Sequence, residues 1–136
     1  MPEMVESIHN YINFNDRIMR KGAISAHKGE RLVIPFNMRD GVVVGRGKGN
    51  PDWNFSAPHG AGRIMGRGFA KKNLDLEEYK ETMKDIWTSC VSQDTLDEAP
   101  MAYKNHEMIK EAIQDTVEIE YVLKPIYNFK AGKEEK

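Results

Sequence analysis

Residues 31–45, RLVIPFNMRDGVVVG, place two short β-branched runs, RLVIPF (31–36) and GVVVG (41–45), around a polar segment. Branched side chains suit a pleated backbone, and the bounding Pro, Asn and Gly residues interrupt it, so both runs read as strands. Pro35 lacks an amide hydrogen, which disfavours a central place in a sheet at the end of its strand. On the N-terminal side, IMRKGAISA (18–26) reads as a strand, a turn at Gly22 and another strand. On the other side the chain becomes rich in glycine, with eight of its eleven glycines between Gly41 and Gly68. That density suits a backbone that bends sharply and approaches a ligand closely. VGRGKGN (44–50) has the spacing of neither a Walker loop nor a dinucleotide fingerprint, and it reads as a tight loop.

After residue 73 the period changes. In LDLEEYKETMKDIWTS (74–89), Leu76, Tyr79, Met83, Ile86 and Trp87 recur at helical steps, with Asp75 and Glu78 as a capping box. A second helix is expected from about Asn105, with Met108, Ile109, Ala112 and Ile113 on one face. VEIEYVL (117–123) then alternates, turning Val117, Ile119, Tyr121 and Leu123 to one side of a half-exposed strand that ends at Pro125. IYNFKAG (126–132) is expected to pair beside it. The fold class is α+β: a sheet-rich first half with glycine-rich loops, then two helices and terminal strands. One domain is expected over 1–136, with a strand-and-loop region at 1–72 and a helical region at 73–136.

Apolar residues make up 40% of the 136 and charged residues 30%, which fits a soluble protein with a modest core. No apolar run approaches a membrane span, and MPEMVESIHN lacks the pattern of a signal peptide. The single cysteine, Cys90, excludes an internal disulfide and is expected to be buried packing, so a cytoplasmic location is expected. The net charge of −1 conceals a division: twelve Lys and Arg face six Asp and Glu up to residue 72, and eight face fifteen after it. An anion-binding first half is one reading, and compositional fluctuation is the other.

The chemistry concentrates in WNFSAPHGAGRIMGRGFAKK (53–72). Pro58 stiffens the approach to His59, while Gly60 and Gly62 leave their N–H groups open to an oxyanion. On residues alone, His59 is either a reactive imidazole beside such a nest or a loop histidine. His9 and Lys130 carry no local sign of function, His27 reads as a solvated loop residue, and His106 begins a helix.

The segments HNYI (9–12), RKGAISA (20–26), IPFNMRDG (34–41), GKGN (47–50), NFSAPHGAGR (54–63), DEAPMAYK (97–104) and KPIYNFKA (124–131) occur in this order. Together they closely resemble the C-terminal part of the RtcB family of RNA-splicing ligases. The resemblance implies an enzyme that joins RNA 3′-phosphate or 2′,3′-cyclic phosphate ends to 5′-hydroxyl ends, using GTP and Mn2+, in tRNA splicing or RNA repair. By resemblance, His59 is the nucleophile that carries GMP, and Gly60, Ala61 and Gly62 accommodate the nucleotide. Arg63 and its basic neighbours offset phosphate charge, His9 ligates manganese, and Asn10 stands in the nucleotide site. Pro35, Phe36, Asn37 and Met38 match a loop around the guanine, Tyr103 matches a tyrosine beside that base, and Lys130 matches the lysine that reaches the guanosine. The family loop often reads Pro-Gly-Ser-Met, so Phe36 and Asn37 depart from it, and Gly66 stands where many members have serine. Full-length members carry an N-terminal portion that supplies the remaining metal ligands. The chain alone is therefore expected to be inactive, as a fragment, half of a split enzyme or a truncated product. Its expected partners are RNA, GTP and that N-terminal half. The alternative is a non-catalytic nucleotide- or RNA-binding or assembly module derived from the family.

Overall fold

The computed structural model describes residues 8–128. In chain order the strands are β1 (His9–Asn13), β2 (Ile18–Ser25), β3 (Arg31–Asn37), β4 (Gly41–Gly47), β5 (Ser56–Pro58), β6 (Trp87–Thr88), β7 (Val117–Leu123) and β8 (Tyr127–Asn128). The helices are α1 (Arg67–Asn73), α2 (Leu76–Thr82) and α3 (His106–Ala112), with 3-10 turns at Pro51–Trp53, Gln93–Glu98 and Pro100–Ala102. The α+β class expected from the sequence is what the chain forms.

The two runs of 31–45 pair as an antiparallel hairpin, β3 against β4. Its turn is shaped by Asn37, whose Oδ1 accepts the N–H groups of Arg39 and Asp40 at 2.9 Å each. β7 pairs on the other side of β4, so β3 with its Pro35 lies at an edge. Leu32, Ile34, Phe36 and Val43 from this sheet join Ile24, Ala57, Ile109, Ile113 and Val117 in the larger core. A smaller core gathers Met38, Tyr79, Met83, Cys90, Leu96 and Ala99.

Several expectations are corrected. IMRKGAISA is one strand, because Gly22 takes φ +67° without reversing the chain. The helix of 74–89 stops at Thr82, and Trp87 lies exposed in β6, which runs parallel to β8. Asp75 caps α2 through the N–H of Glu77, without the reciprocal bond from Glu78. α1 was not legible in a glycine-rich stretch. On α3, Ile109 and Ile113 face the core, while Met108 and Ala112 are exposed. Tyr127 and Asn128 of the IYNFKAG segment pair with β6 rather than β7. The alternation of β7 also breaks. Val44 pairs with Tyr121 and Gly45 with Ile119, which leaves Glu120 as an extra residue in a β-bulge. Beyond it the inward side changes, so Val122 packs on the core and Tyr121 and Leu123 are exposed.

Candidate functional site

β5 delivers His59. Its Ala57 and Pro58 pair with Ile24 and Ala23 of β2, and the His59 N–H donates to the Gly22 carbonyl at 3.4 Å. Gly22 also lies under the imidazole, since a β-carbon there would stand 3.7 Å from His59 Cδ2. The β1–β2 ladder opens at this point, and Asn10, itself at φ 59°, closes the gap by accepting the Gly22 N–H on Oδ1 at 2.6 Å. Asn10, Gly22 and His59 are thus linked through one backbone position. His9 begins β1 opposite Ile24, which places its backbone two strands from β5, about 10 Å at ordinary strand spacing.

The loop before β5 is braced from inside. Arg20 is buried, and its Nε donates to Ser56 Oγ at 2.7 Å. One of its terminal nitrogens reaches the carbonyls of Asn54 and Phe55 at 3.3 Å each and Asp16 at 2.7 Å. Asn54 and Phe55 both adopt positive φ, 52° and 53°, a conformation that L-residues hold only when their surroundings impose it. Asp16 also meets His27 Nε2 at 2.8 Å, and His27 stacks on Phe55, so the solvated loop residue expected is tethered on one side. Hydrogen bonds from Arg20 above all, and from His27, hold the Asp16 carboxyl down at about 2.

His59 opens onto a cleft of about 660 Å3. Pro35, Phe36, Asn37, Met38, Gly60, Ala61, Gly62, Arg63 and Tyr103 line the same cleft. Ten residues assigned by resemblance therefore share one hollow, although they come from three separated segments. The Ala61 N–H donates to the Pro35 carbonyl at 3.1 Å and ties two of those segments together. Phe36 and Met38 are nearly buried and belong to the two cores, and Asn37 is engaged in its turn. Asn10 lies on the sheet behind His59, and Lys130 falls outside the described residues.

The third segment corrects the electrostatic expectation. Arg63 and Tyr103 form an isolated antiparallel bridge, with the guanidinium 4.9 Å from the ring centre. Arg63 donates to the Tyr103 hydroxyl at 3.2 Å, to the Met65 carbonyl at 3.1 Å and to the Asp97 carbonyl. Arg67 pairs with Asp97 at 2.7 Å and with Glu98, which together push its guanidinium further above its ordinary range. Lys71 lies 4.0 Å from Asp97. Arg63, Arg67 and Lys71 are thus partly compensated by Asp97 and Glu98 of DEAPMAYK. The Tyr103 hydroxyl donates to Glu98 at 2.6 Å, and burial together with that carboxylate pushes it up to about 12. Its ring is a fixed, neutral wall. Sequence reasoning missed Arg20, Gly22 and Glu98, although each lies inside a quoted motif.

The family model described as tRNA-splicing ligase RtcB matches residues 1–131. The chain belongs to the RtcB family. RNA-splicing ligase RtcB of Escherichia coli K12 is 35% identical over 136 residues, covering 91% of this chain and 32% of that protein. RNA-splicing ligase RtcB1 of Escherichia coli ATCC 25922 gives the same figures. The tRNA-splicing ligase RtcB of Aeropyrum pernix is 33% identical over 86 residues, covering 60% of this chain and 18% of that protein. The chain spans about a third of the length of the Escherichia coli relatives it matches. Within this RtcB portion, no three His, Cys, Asp or Glu side chains converge as a metal site among the described residues. Manganese needs a shell of several oxygen and nitrogen donors, and these residues do not make one.

Proposed function

We propose that this chain is the guanylylation part of a GTP- and Mn2+-dependent RNA ligase, completed by a portion corresponding to the rest of the RtcB relatives. It would seal RNA 3′-phosphate or 2′,3′-cyclic phosphate ends to 5′-hydroxyl ends, in tRNA splicing or RNA repair in the cytoplasm. The observation that carries this reading is the meeting of the His59 loop, residues 35–38 and Tyr103 in one cleft of nucleotide-admitting size.

A ring nitrogen of His59 would attack the α-phosphate of GTP, forming a phosphorus–nitrogen bond as pyrophosphate leaves. The RNA 3′-phosphate would then take GMP from His59, and the 5′-hydroxyl would displace GMP to form the phosphodiester. Gly22 and Asn10 hold the imidazole's place from behind, and β5 presents it at a fixed strand end. Gly62, at φ +74°, keeps the following loop open to phosphate oxygens. Tyr103 offers a pinned aromatic face to the base, and the matching position of Lys130 suits a contact to guanosine. His9 would supply one manganese donor, with the remaining donors from the complementary portion, and the metal would offset triphosphate and pyrophosphate charge. Exposed Ile12, Phe14 and Met19 on the β1–β2 ribbon support a packing surface for that portion.

A second reading is a non-catalytic nucleotide- or RNA-binding or assembly module, in which the same cleft and its pinned Tyr103 ring would hold a nucleotide reversibly. The two separate when the chain is mixed with the complementary portion, labelled GTP and Mn2+. Ligase chemistry gives a covalent, acid-labile GMP adduct that His59→Ala abolishes without changing the far-UV spectrum. Binding alone gives reversible retention and no adduct.

A further inference from the structure

A second cleft, of about 410 Å3, adjoins the first, and Asn37 and Tyr103 border both. His59 does not line it. Its apolar lining comes from Ile64, Met101 and Met108, and Ile64 and Met108 are each 62% exposed. Lys104 borders it as well. The Lys104 N–H is bonded to the Gly62 carbonyl at 3.1 Å, and its Nζ stands 3.8 Å from where a β-carbon on Gly62 would lie. The ammonium therefore sits over the loop that follows His59, between the two hollows.

Charge pairing distinguishes Lys104 from Arg39, the other cation of the second cleft. Arg63 lies 3.9 Å from Glu98, Arg67 pairs with Asp97 and Glu98, Lys71 lies 4.0 Å from Asp97, and Arg39 pairs with Asp40 at 2.9 Å. Asp40, the acid in the second cleft, is itself held by Arg39, by Asn37 at 2.8 Å and by His106 at 3.3 Å. Lys104 has no acidic partner among the described residues. An uncompensated ammonium beside a small apolar hollow suits a phosphate with a base attached. Single-stranded RNA is held in this way, with cations on the backbone and bases against aromatic or apolar side chains.

Resting on the ligase reading, we propose that this second cleft is a subsite for one nucleotide of the RNA strand beside its reacting end. Lys104 holds the phosphate, Ile64, Met101 and Met108 receive the base, and the Tyr103 ring separates that nucleotide from the one at His59. Its volume falls within the roughly 300–1,000 Å3 of small-molecule sites.

The test titrates a fluorescent oligouridylate bearing a 3′-phosphate against the 136-residue chain over a salt series, without GTP. Lys104→Gln should lower the salt slope by about 0.7, and affinity at about 50 mM salt by about eight-fold. Lys104→Arg should keep the slope, and Met108→Ser should weaken binding at an unchanged slope. An unaltered slope in Lys104→Gln, or no binding by the parent chain at low salt, overturns the proposal. A parallel GTP titration separates the two sources of phosphate. Loss of GTP affinity in Lys104→Gln with oligouridylate binding intact assigns the ammonium to the triphosphate and also overturns it. The slope is read without His59 chemistry, so failure of the GMP adduct and failure of this subsite are separate results.

Discussion

The two three-stranded sheets of this chain follow opposite rules. The β3–β4–β7 sheet gives the core its fully buried Leu32, Ile34 and Val43, and none of its strands holds a non-glycine residue at positive φ. The β1–β2–β5 sheet opens its ladder at Asn10 and Gly22, buries an arginine, and receives β5 from two consecutive residues at positive φ. It is also the sheet that presents His59. Regular pairing and apolar burial hold the first sheet, whereas side-chain hydrogen bonds hold the second in a shape that its backbone does not favour. On the proposed reading of His59 as nucleophile, the difference has a use: backbone strain gathers beside the group to be aimed.

Substitutions can break or sharpen this contrast. Leu32→Ala should have the largest effect, about 3 kcal/mol of stability lost to a cavity, read by urea denaturation with the His59 environment unchanged. Gly22→Ala should cost about 1–2 kcal/mol, because φ +67° is unfavourable for alanine. It should also shift the His59 ring resonances and, on the proposed ligase reading, slow GMP-adduct formation with the complementary portion, which Leu32→Ala should not do. A gentler loss follows acid. The Asp16 carboxyl, at about 2, lies below its ordinary 3.8, so its contribution is complete above about pH 4 and is lost as pH falls through 2. For Asp40, burial pushes the carboxyl up, but hydrogen bonds from Arg39 and Asn37 outweigh that and hold it at about 2, giving the same sign. Amide exchange should therefore rise at residues 54–59 and around the 37–40 turn, and Asp16→Asn should remove the sensitivity of 54–59 alone. The smallest effect is Gly66→Ser. Gly66 caps α1 without a side-chain bond and has open space around it, so serine should add a few tenths of a kcal/mol.

The legible parts of the fold were those where one local pattern sufficed. RLVIPF and GVVVG needed only branched residues and breakers, and Asn105 and Ile109 marked α3. The sequence misled where a contact distant in the chain decided the outcome. Trp87 kept helical spacing, yet its amide bonds the Ile126 carbonyl, which draws it into β6. Of the candidate site, the motifs named ten residues that meet around the first cleft, while His9 and Asn10 do not line it and Lys130 lies outside the described residues. The motifs did not show that Asp97 and Glu98 occupy the arginines, because the pairing joins residues some thirty positions apart. Nor did they show Arg20 reaching across to Ser56.

Glu120 has a last consequence. Since Ile119 and Glu120 together face Gly45, this strand carries one residue more than its partner needs. Removing Glu120 would restore a plain ladder with Val122 still inward, at the loss of its contacts with Arg31 and Arg46. Adding a residue on the core side of that point would turn Val117 and Ile119 outward. Length, ordinarily unforgiving inside a strand, is negotiable here in one direction only, and related chains are expected to shorten at this position more readily than they lengthen.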